Sequence, residues 1–257
     1  VDAHLHTLQL REPFRIAHGT SFSREVLRIF HDGAVGEAPF VPYYPESPEE
    51  TLQWIHSQVI EIESPPQNCP RTVRLALDLL RWDASGKRLG QSLGTLCKVS
   101  SRDGIQAARS LSIPENLDAF SQKVCSLHEQ FSVFKLKLGS GSLAFDREIV
   151  AHALTAAPGA VFFADANGGW TLSEALEILP GLKKSGLAFV EQPLPPSANV
   201  SAWKTLRQTL GADAPRLFAD ESIQRVEDLP RLGEWIDGVN VKLLKCGTFE
   251  SALHWIH

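Results

Sequence analysis

The 257-residue chain contains no methionine, where average composition gives about five, so its motif spacings are read with a tolerance of one or two residues. No window approaches the roughly 18 apolar residues of a membrane span. The opening VDAHLHTLQLREPFRIAHG puts polar and charged side chains where a secretion signal needs an apolar core. The expectation is a cytoplasmic protein, neither exported nor inserted in a membrane. Cysteine is sparse, with Cys69, Cys97, Cys125 and Cys246 scattered without C-x-x-C spacing, which argues against a zinc framework or a disulfide scaffold. Basic residues do not outnumber acidic ones (25 against 30), and no run of like charge offers a footprint for nucleic acid. No G-x-G-x-x-G follows a strand pattern, so a dinucleotide fold has little support. The nine histidines show no metal-ligand spacing. His4 and His6 read as part of an N-terminal strand, and His128, His152 and His254 as helix residues with structural or surface roles. What remains is a partner of small-molecule size.

What is present is a chain with 43% hydrophobic residues, enough for a substantial core, in two halves of different character. Residues 1–100 read as α+β. Val26 to Phe30 is a strand, HDGAVGEA supplies a turn and a second strand, and SPEETLQWIHSQVIEI opens as a helix with Ser-Pro and acidic residues. After the break SPPQNCP a second helix, RTVRLALDLLRWDASGKRLG, puts Leu75, Leu79 and Trp82 on one face. Residues 101–257 alternate short apolar runs with helical stretches, the signature of a parallel α/β sheet or (β/α) barrel. The strands are AARSLSI, VFKLKLG, AVFFADA, LAFVEQP, RLFADES and GVNVKLL, six βα units where a closed barrel has eight. The final ESALHWIH reads as mid-helix without a cap, and a further C-terminal segment is expected.

In such a barrel chemistry gathers at the C-terminal ends of the strands. There the second strand carries Lys135 and Lys137, the third ends at Asp165, the fourth at Glu191 and the fifth at Asp220, while the sixth carries Lys242 followed by Lys245. Alternation puts each carboxylate on the face of an inward phenylalanine: Phe163 with Asp165, Phe189 with Glu191, Phe218 with Asp220. Three neighbouring carboxylates repel one another unless neutralised. All-oxygen donors favour Mg²⁺ over zinc or copper. A lysine beside a cation and a second lysine, in a partly dry site, gives up its proton more readily and can serve as a general base. Lys137 is the expected base, Lys135 its charged neighbour and Lys242 a second proton carrier. Two carriers about one carbon acid can invert a stereocentre.

These motifs, the K-x-K of FKLKLG with FADANGGW, VEQPLPP, FADES and GVNVKLLKCG, resemble the enolase superfamily, and within it the muconate-lactonizing-enzyme-like subgroup. ALDLLRWDASGKRLGQ is similar to the helix that ends the family's capping domain. The resemblance implies a modified TIM barrel behind an N-terminal capping domain, with Asp165, Glu191 and Asp220 as Mg²⁺ ligands. Family sites of this kind set a Lys or His base beside Mg²⁺ on an enediolate. Lys137 and Lys242 would be the acid/base pair and Lys135 the auxiliary lysine; His18, Asn240 and Lys245 would touch substrate. LREPFRIAHGTS and DANGGW most resemble dipeptide epimerases of the L-Ala-D/L-Glu type, with a mobile capping loop around Ile16 to Phe22. In such epimerases a D-x-D on the eighth strand would bind the dipeptide's ammonium group, beyond the six units of this sequence. The alternatives are o-succinylbenzoate synthase, N-acylamino acid racemase, muconate cycloisomerase, or a catalytically silent ligand-binding barrel. Family likeness also implies a homo-oligomer.

Overall fold

The computed structural model describes residues 1–41, 44–66, 68–98 and 105–256. Its contacts divide the chain into two compact units, the first comprising residues 1–12, 22–104 and 241–257, the second 13–21 and 105–240. The boundary expected at 100/101 lies outside the described residues. Two segments fall elsewhere than that boundary implies: 13–21 groups with the parallel sheet, and 241–257 with the first unit, where Leu244 joins the apolar core.

The first unit holds most of a three-stranded sheet, β1 (Asp2–Ile16), β2 (Gly19–His31) and β3 (Ala34–Pro39), in that order. β2 and β3 pair antiparallel from Val26↔Pro39 to His31↔Ala34. The two residues between them, Asp32 and Gly33, both have positive φ, the backbone a tight hairpin requires and the reason Asp-Gly occurs there. β3 buries Ala34, Gly36 and Ala38 on alternate positions. Their small size lets a helix come close: a Cβ on Gly36 would lie 1.8 Å from the Ala76 carbonyl oxygen. That carbonyl belongs to α2 (Arg71–Leu89), which follows α1 (Pro48–Ser57) and precedes the short α3 (Leu93–Leu96). α2 turns Val73, Ala76, Leu77 and Leu80 inward, the i, i+3, i+4, i+7 stripe of a packed helix. Leu75 is buried as expected, but Leu79 and Trp82 are only half-buried, because close approach over Gly36 centres the helix on Ala76.

In the second unit six parallel strands hydrogen-bond in chain order: β4 (Arg109–Leu111), β5 (Val133–Lys137), β6 (Val161–Asp165), β7 (Val190–Glu191), β8 (Leu217–Ala219) and β9 (Gly238–Val239). Between them run α4 (Leu117–His128), α5 (Leu143–Ala156), α6 (Leu172–Lys184), α7 (Val200–Leu210) and the short α8 (Leu229–Leu232). This is six successive units of a (β/α) barrel. α4 to α7 each begin at an Asn, Ser or Thr whose side chain accepts a first-turn N–H: Asn116, Ser142, Thr171 and Asn199. Two further helices, α9 (Leu243–Cys246) and α10 (Phe249–Ile256), follow β9 within the first unit, where the Phe249 N–H donates to Asp78 at 2.8 Å. No described helix is long and apolar enough to cross a membrane.

The sheet's register carries the inward phenylalanines. Phe163 stacks on Phe189 with ring centroids 4.3 Å apart, and Phe189 on Phe218 at 4.2 Å. Gly238 is what leaves room for the last ring, since a Cβ there would meet it at 2.6 Å. The stack forms an apolar floor, and the next inward position along each of these chains is a carboxylate.

Candidate active site

Strand pairing sets Lys137 beside Asp165 and Asp165 beside Glu191, so charges separated by tens of residues become neighbours on adjacent strands. The Lys137 ammonium donates to Asp165 Oδ2 at 2.7 Å and to Asn167 Oδ1 at 2.8 Å. Lys135, one inward step earlier, reaches Asp165 Oδ2 at 2.7 Å and Glu191 Oε2 at 2.8 Å, its ammonium 5.9 Å from the centre of the Phe163 ring. Asp165, Glu191 and Asp220 are all buried, and each offers one oxygen within 4.8 Å of the others.

Burial and pairing pull these groups in different directions. Burial disfavours the Lys135 ammonium, but the Asp165 and Glu191 carboxylates outweigh it and hold its pKa above the ordinary lysine value. For Asp165 burial favours the neutral acid, yet Lys135 and Lys137 prevail and hold the carboxyl below the usual carboxylate range. Glu191 is pushed upward, by burial first and then by the Asp165 charge, with Lys135 only partly opposing. The contrast follows from partners, since two lysines serve Asp165 and one serves Glu191.

A hard cation fits this donor set. The ligand atoms are all carboxylate oxygens, and a span within 4.8 Å is one that a single ion with oxygens at about 2.0–2.6 Å can bridge. Crowding of like charge in a dry site, visible in the upward displacement of Glu191, is what such a cation relieves. Asp165, Glu191 and Asp220 are the residues that would hold it.

Around this centre lies a shell that the motif reading did not assign. Asn167, in the left-handed region at φ 46°, donates its backbone N–H to Asp165 Oδ1 at 2.8 Å and its amide Nδ2 to Glu221 Oε1 at 2.9 Å. Gln192, also left-handed at φ 41° and fully buried, accepts from the backbone N–H groups of Asp220 and Ser222 through Oε1 and so fixes the turn carrying Asp220. Glu221 is pushed upward by burial and by the Asp220 and Asp165 charges. The Asn-Gly of DANGG was a usable signal for a left-handed residue. A left-handed Gln before Pro193 had none.

Of the expected substrate contacts, Asn240 donates to Glu191 Oε1 at 2.7 Å, so it holds a carboxylate of the centre. His18 donates from Nε2 to the Asn167 carbonyl at 2.6 Å. It stands in a two-residue turn, Ala17–His18, where a longer mobile loop was expected; β1 and β2 extend to Ile16 and from Gly19, leaving only those two residues to connect them. Lys242 and Lys245 belong to the first unit. Lys242 stands at the N-cap of α9, and Lys245 is buried with its ammonium 5.4 Å from the Trp255 ring centre.

Comparison with known proteins agrees with this geometry. The chain is 28% identical over 269 residues to the L-Ala-D/L-amino acid epimerase of a Maribacter species, covering 98% of this chain and 76% of that protein. It is likewise 28% identical to the L-Ala-D/L-Glu epimerase of Bacteroides thetaiotaomicron, covering 96% of this chain and 67% of the relative. The fold superimposes on the dipeptide epimerase of Cytophaga hutchinsonii, solved with Mg and D-Ala-L-Val, with a TM-score of 0.80 at 23% identity, over 99% of this chain and 74% of that one. The family model described as enolase C-terminal domain-like matches residues 119–257, more than half of the sequence, and the chain belongs to that family, in its muconate-lactonizing-enzyme-like subgroup.

Proposed function

We propose that this protein is a Mg²⁺-dependent dipeptide epimerase, removing and returning the α-proton of the dipeptide's C-terminal residue. The observation that carries the reading is a buried lysine, Lys137, hydrogen-bonded to Asp165, one of three buried carboxylates gathered at the strand ends. A proton next to a carboxylate is weakly acidic, and its removal needs a matched base together with positive charge where negative charge develops. Mg²⁺ held by Asp165, Glu191 and Asp220 supplies that positive charge when bound. Lys137 is the base on one face, its ammonium anchored by Asp165 and Asn167. Lys135 remains protonated, held by the Asp165 and Glu191 carboxylates.

Lys242 is assigned the opposite face because it is the first lysine of the K-x-x-K after β9; the support is the motif. His18 and Lys245 remain the proposed substrate contacts, and Asn240 a support for Glu191. Removal by one lysine and return by the other inverts the α-carbon, through an enediolate of the substrate. The names of the Maribacter and Bacteroides relatives support a dipeptide as substrate. We place the protein in the cytoplasm and expect a homo-oligomer, on composition and family likeness.

The test is incubation with Mg²⁺ in D₂O and a panel of L-Ala-L-Glu, other L,L-dipeptides, an N-acylamino acid and a muconate, followed by NMR of the α-protons. Exchange with inversion of a dipeptide is expected, abolished by a chelator and by Lys137→Ala with the fold retained. Turnover of only the N-acylamino acid or the muconate, or full activity in Lys137→Ala, would overturn the reading.

A further inference from the structure

Lys137 has three tetrahedral positions on Nζ, and two are committed, to Asp165 Oδ2 at 2.7 Å and to Asn167 Oδ1 at 2.8 Å. Two fixed hydrogen bonds stop rotation about the Cε–Nζ bond, so the third position, through which a proton can be exchanged, points in one direction. The direction therefore depends on which end of the Asn167 amide faces the lysine. An asparagine side chain is nearly symmetrical in shape but opposite in chemistry at its two ends. Turned round, it would set its NH₂ against the ammonium and its oxygen against a carboxylate.

What prevents that is Glu221. Its Oε1 accepts from Asn167 Nδ2 at 2.9 Å, and the residue is 7% exposed. Its other oxygen, Oε2, is buried without a hydrogen-bond partner among the described residues. A buried carboxylate with one oxygen unsatisfied carries a desolvation cost that packing alone does not require. The bond it makes to another side chain, that of Asn167, fixes the amide that holds the base. Asn167 is tied at its other polar groups as well, its N–H donating to Asp165 and its carbonyl accepting from His18.

We propose that Glu221 and Asn167 are positioning residues for Lys137, with Glu221 setting the orientation of the Asn167 amide and that amide aiming the lysine. The inference rests on the epimerase reading, and it makes a statement that reading does not: damage to Glu221 affects proton transfer on the Lys137 face only. In a two-base enzyme each epimer loses its proton to a different lysine. Net epimerisation must fall in both directions together, because the overall equilibrium is fixed. Exchange of the α-proton with solvent need not, since the epimer served by the other base can still lose and regain its proton there.

The experiment uses the full chain with Mg²⁺ and, in separate D₂O reactions, the L,L and L,D forms of whichever dipeptide the wild type turns over. Glu221→Leu removes the acceptor, Glu221→Gln keeps one, and Asn167→Ser shortens the link should Glu221→Leu fail to fold. In Glu221→Leu and Asn167→Ser, exchange of one epimer is expected to drop by about tenfold to a hundredfold in kcat, with KM little changed. Exchange of the other epimer should stay within about twofold, and Mg²⁺ affinity by calorimetric titration should be unaltered. Glu221→Gln should recover most of the lost exchange, because its Oε1 can still accept from Asn167. Equal loss for both epimers, a fall in Mg²⁺ affinity that accounts for the loss, or a Gln variant as impaired as the Leu variant would overturn the proposal. Absence of exchange in the wild type would instead remove the epimerase reading itself.

Discussion

Asp146 is fully buried in the first turn of α5 and organises loops beside the carboxylate cluster of Asp165, Glu191 and Asp220. Its Oδ2 accepts from the Gly139 N–H at 3.1 Å and from Trp170 Nε1 at 2.9 Å, and its Oδ1 from the Ser140 N–H at 3.1 Å. Gly139 and Ser140 follow Lys137 and Leu138 at the end of β5, and Trp170 closes the DANGGW loop after Asp165. One carboxylate thus joins the ends of β5 and β6. Replacing Asp146 by Asn keeps the shape and leaves one oxygen. Placed to serve Gly139 and Trp170, that oxygen puts the new NH₂ against the Ser140 N–H, donor against donor. The variant loses one hydrogen bond to a charged group, about 1.5–3 kcal/mol, and weakens two others from charged to neutral at about 1 kcal/mol each. The sum is about 3.5–5 kcal/mol, a large part of the roughly 5–15 kcal/mol that stabilises a typical domain. Urea unfolding of wild type and Asp146→Asn followed by far-UV circular dichroism measures the difference. A loss below about 0.5 kcal/mol would mean that the three bonds do not carry the loop junction, and the reasoning would fail.

Two more predictions concern the first unit. Gly36→Ala sets a methyl group 1.8 Å from the Ala76 carbonyl oxygen and 2.7 Å from the Leu80 nitrogen, both backbone atoms of α2. A destabilisation above about 3 kcal/mol is expected, and a melting temperature equal to wild type would contradict the close packing of β3 on α2. Asp83 receives hydrogen bonds from Lys87 and from the Val35 N–H, and these hold its carboxyl below the usual carboxylate range. A carboxyl with a lowered folded-state pKa adds stability above its unfolded value near 4, and that stability is lost as pH falls through the folded value. The group is near the surface, so the effect is a few tenths of a kcal/mol. Asp83→Asn should be less stable than wild type at pH 6 and converge with it toward pH 2; a gap that persists at pH 2 would assign the loss to something other than the charge.

The sequence alone determined what depends on local pattern. Alternation of apolar runs with helical stretches specifies six βα units, because a strand buried on both faces and an amphipathic helix have different periods. Asp32-Gly33 specifies a hairpin, because only a few residues accept positive φ. Period-two alternation puts Asp165, Glu191 and Asp220 beyond an inward phenylalanine, and the structure brings all three within reach of one ion. What depends on through-space partners was not legible. Nothing in the local sequence says that Asn240 would hold Glu191, that Glu221 would hold Asn167, or that Gln192 would take a left-handed backbone to support the turn of Asp220. The inward face of α2 was decided by a glycine on a strand some forty residues away. The place of 241–256 was decided by the burial of Leu244 among side chains of the first unit. Residue type and spacing determined which charged groups stand at the strand ends; strand register and the hydrogen bonds it permits decided how each is held.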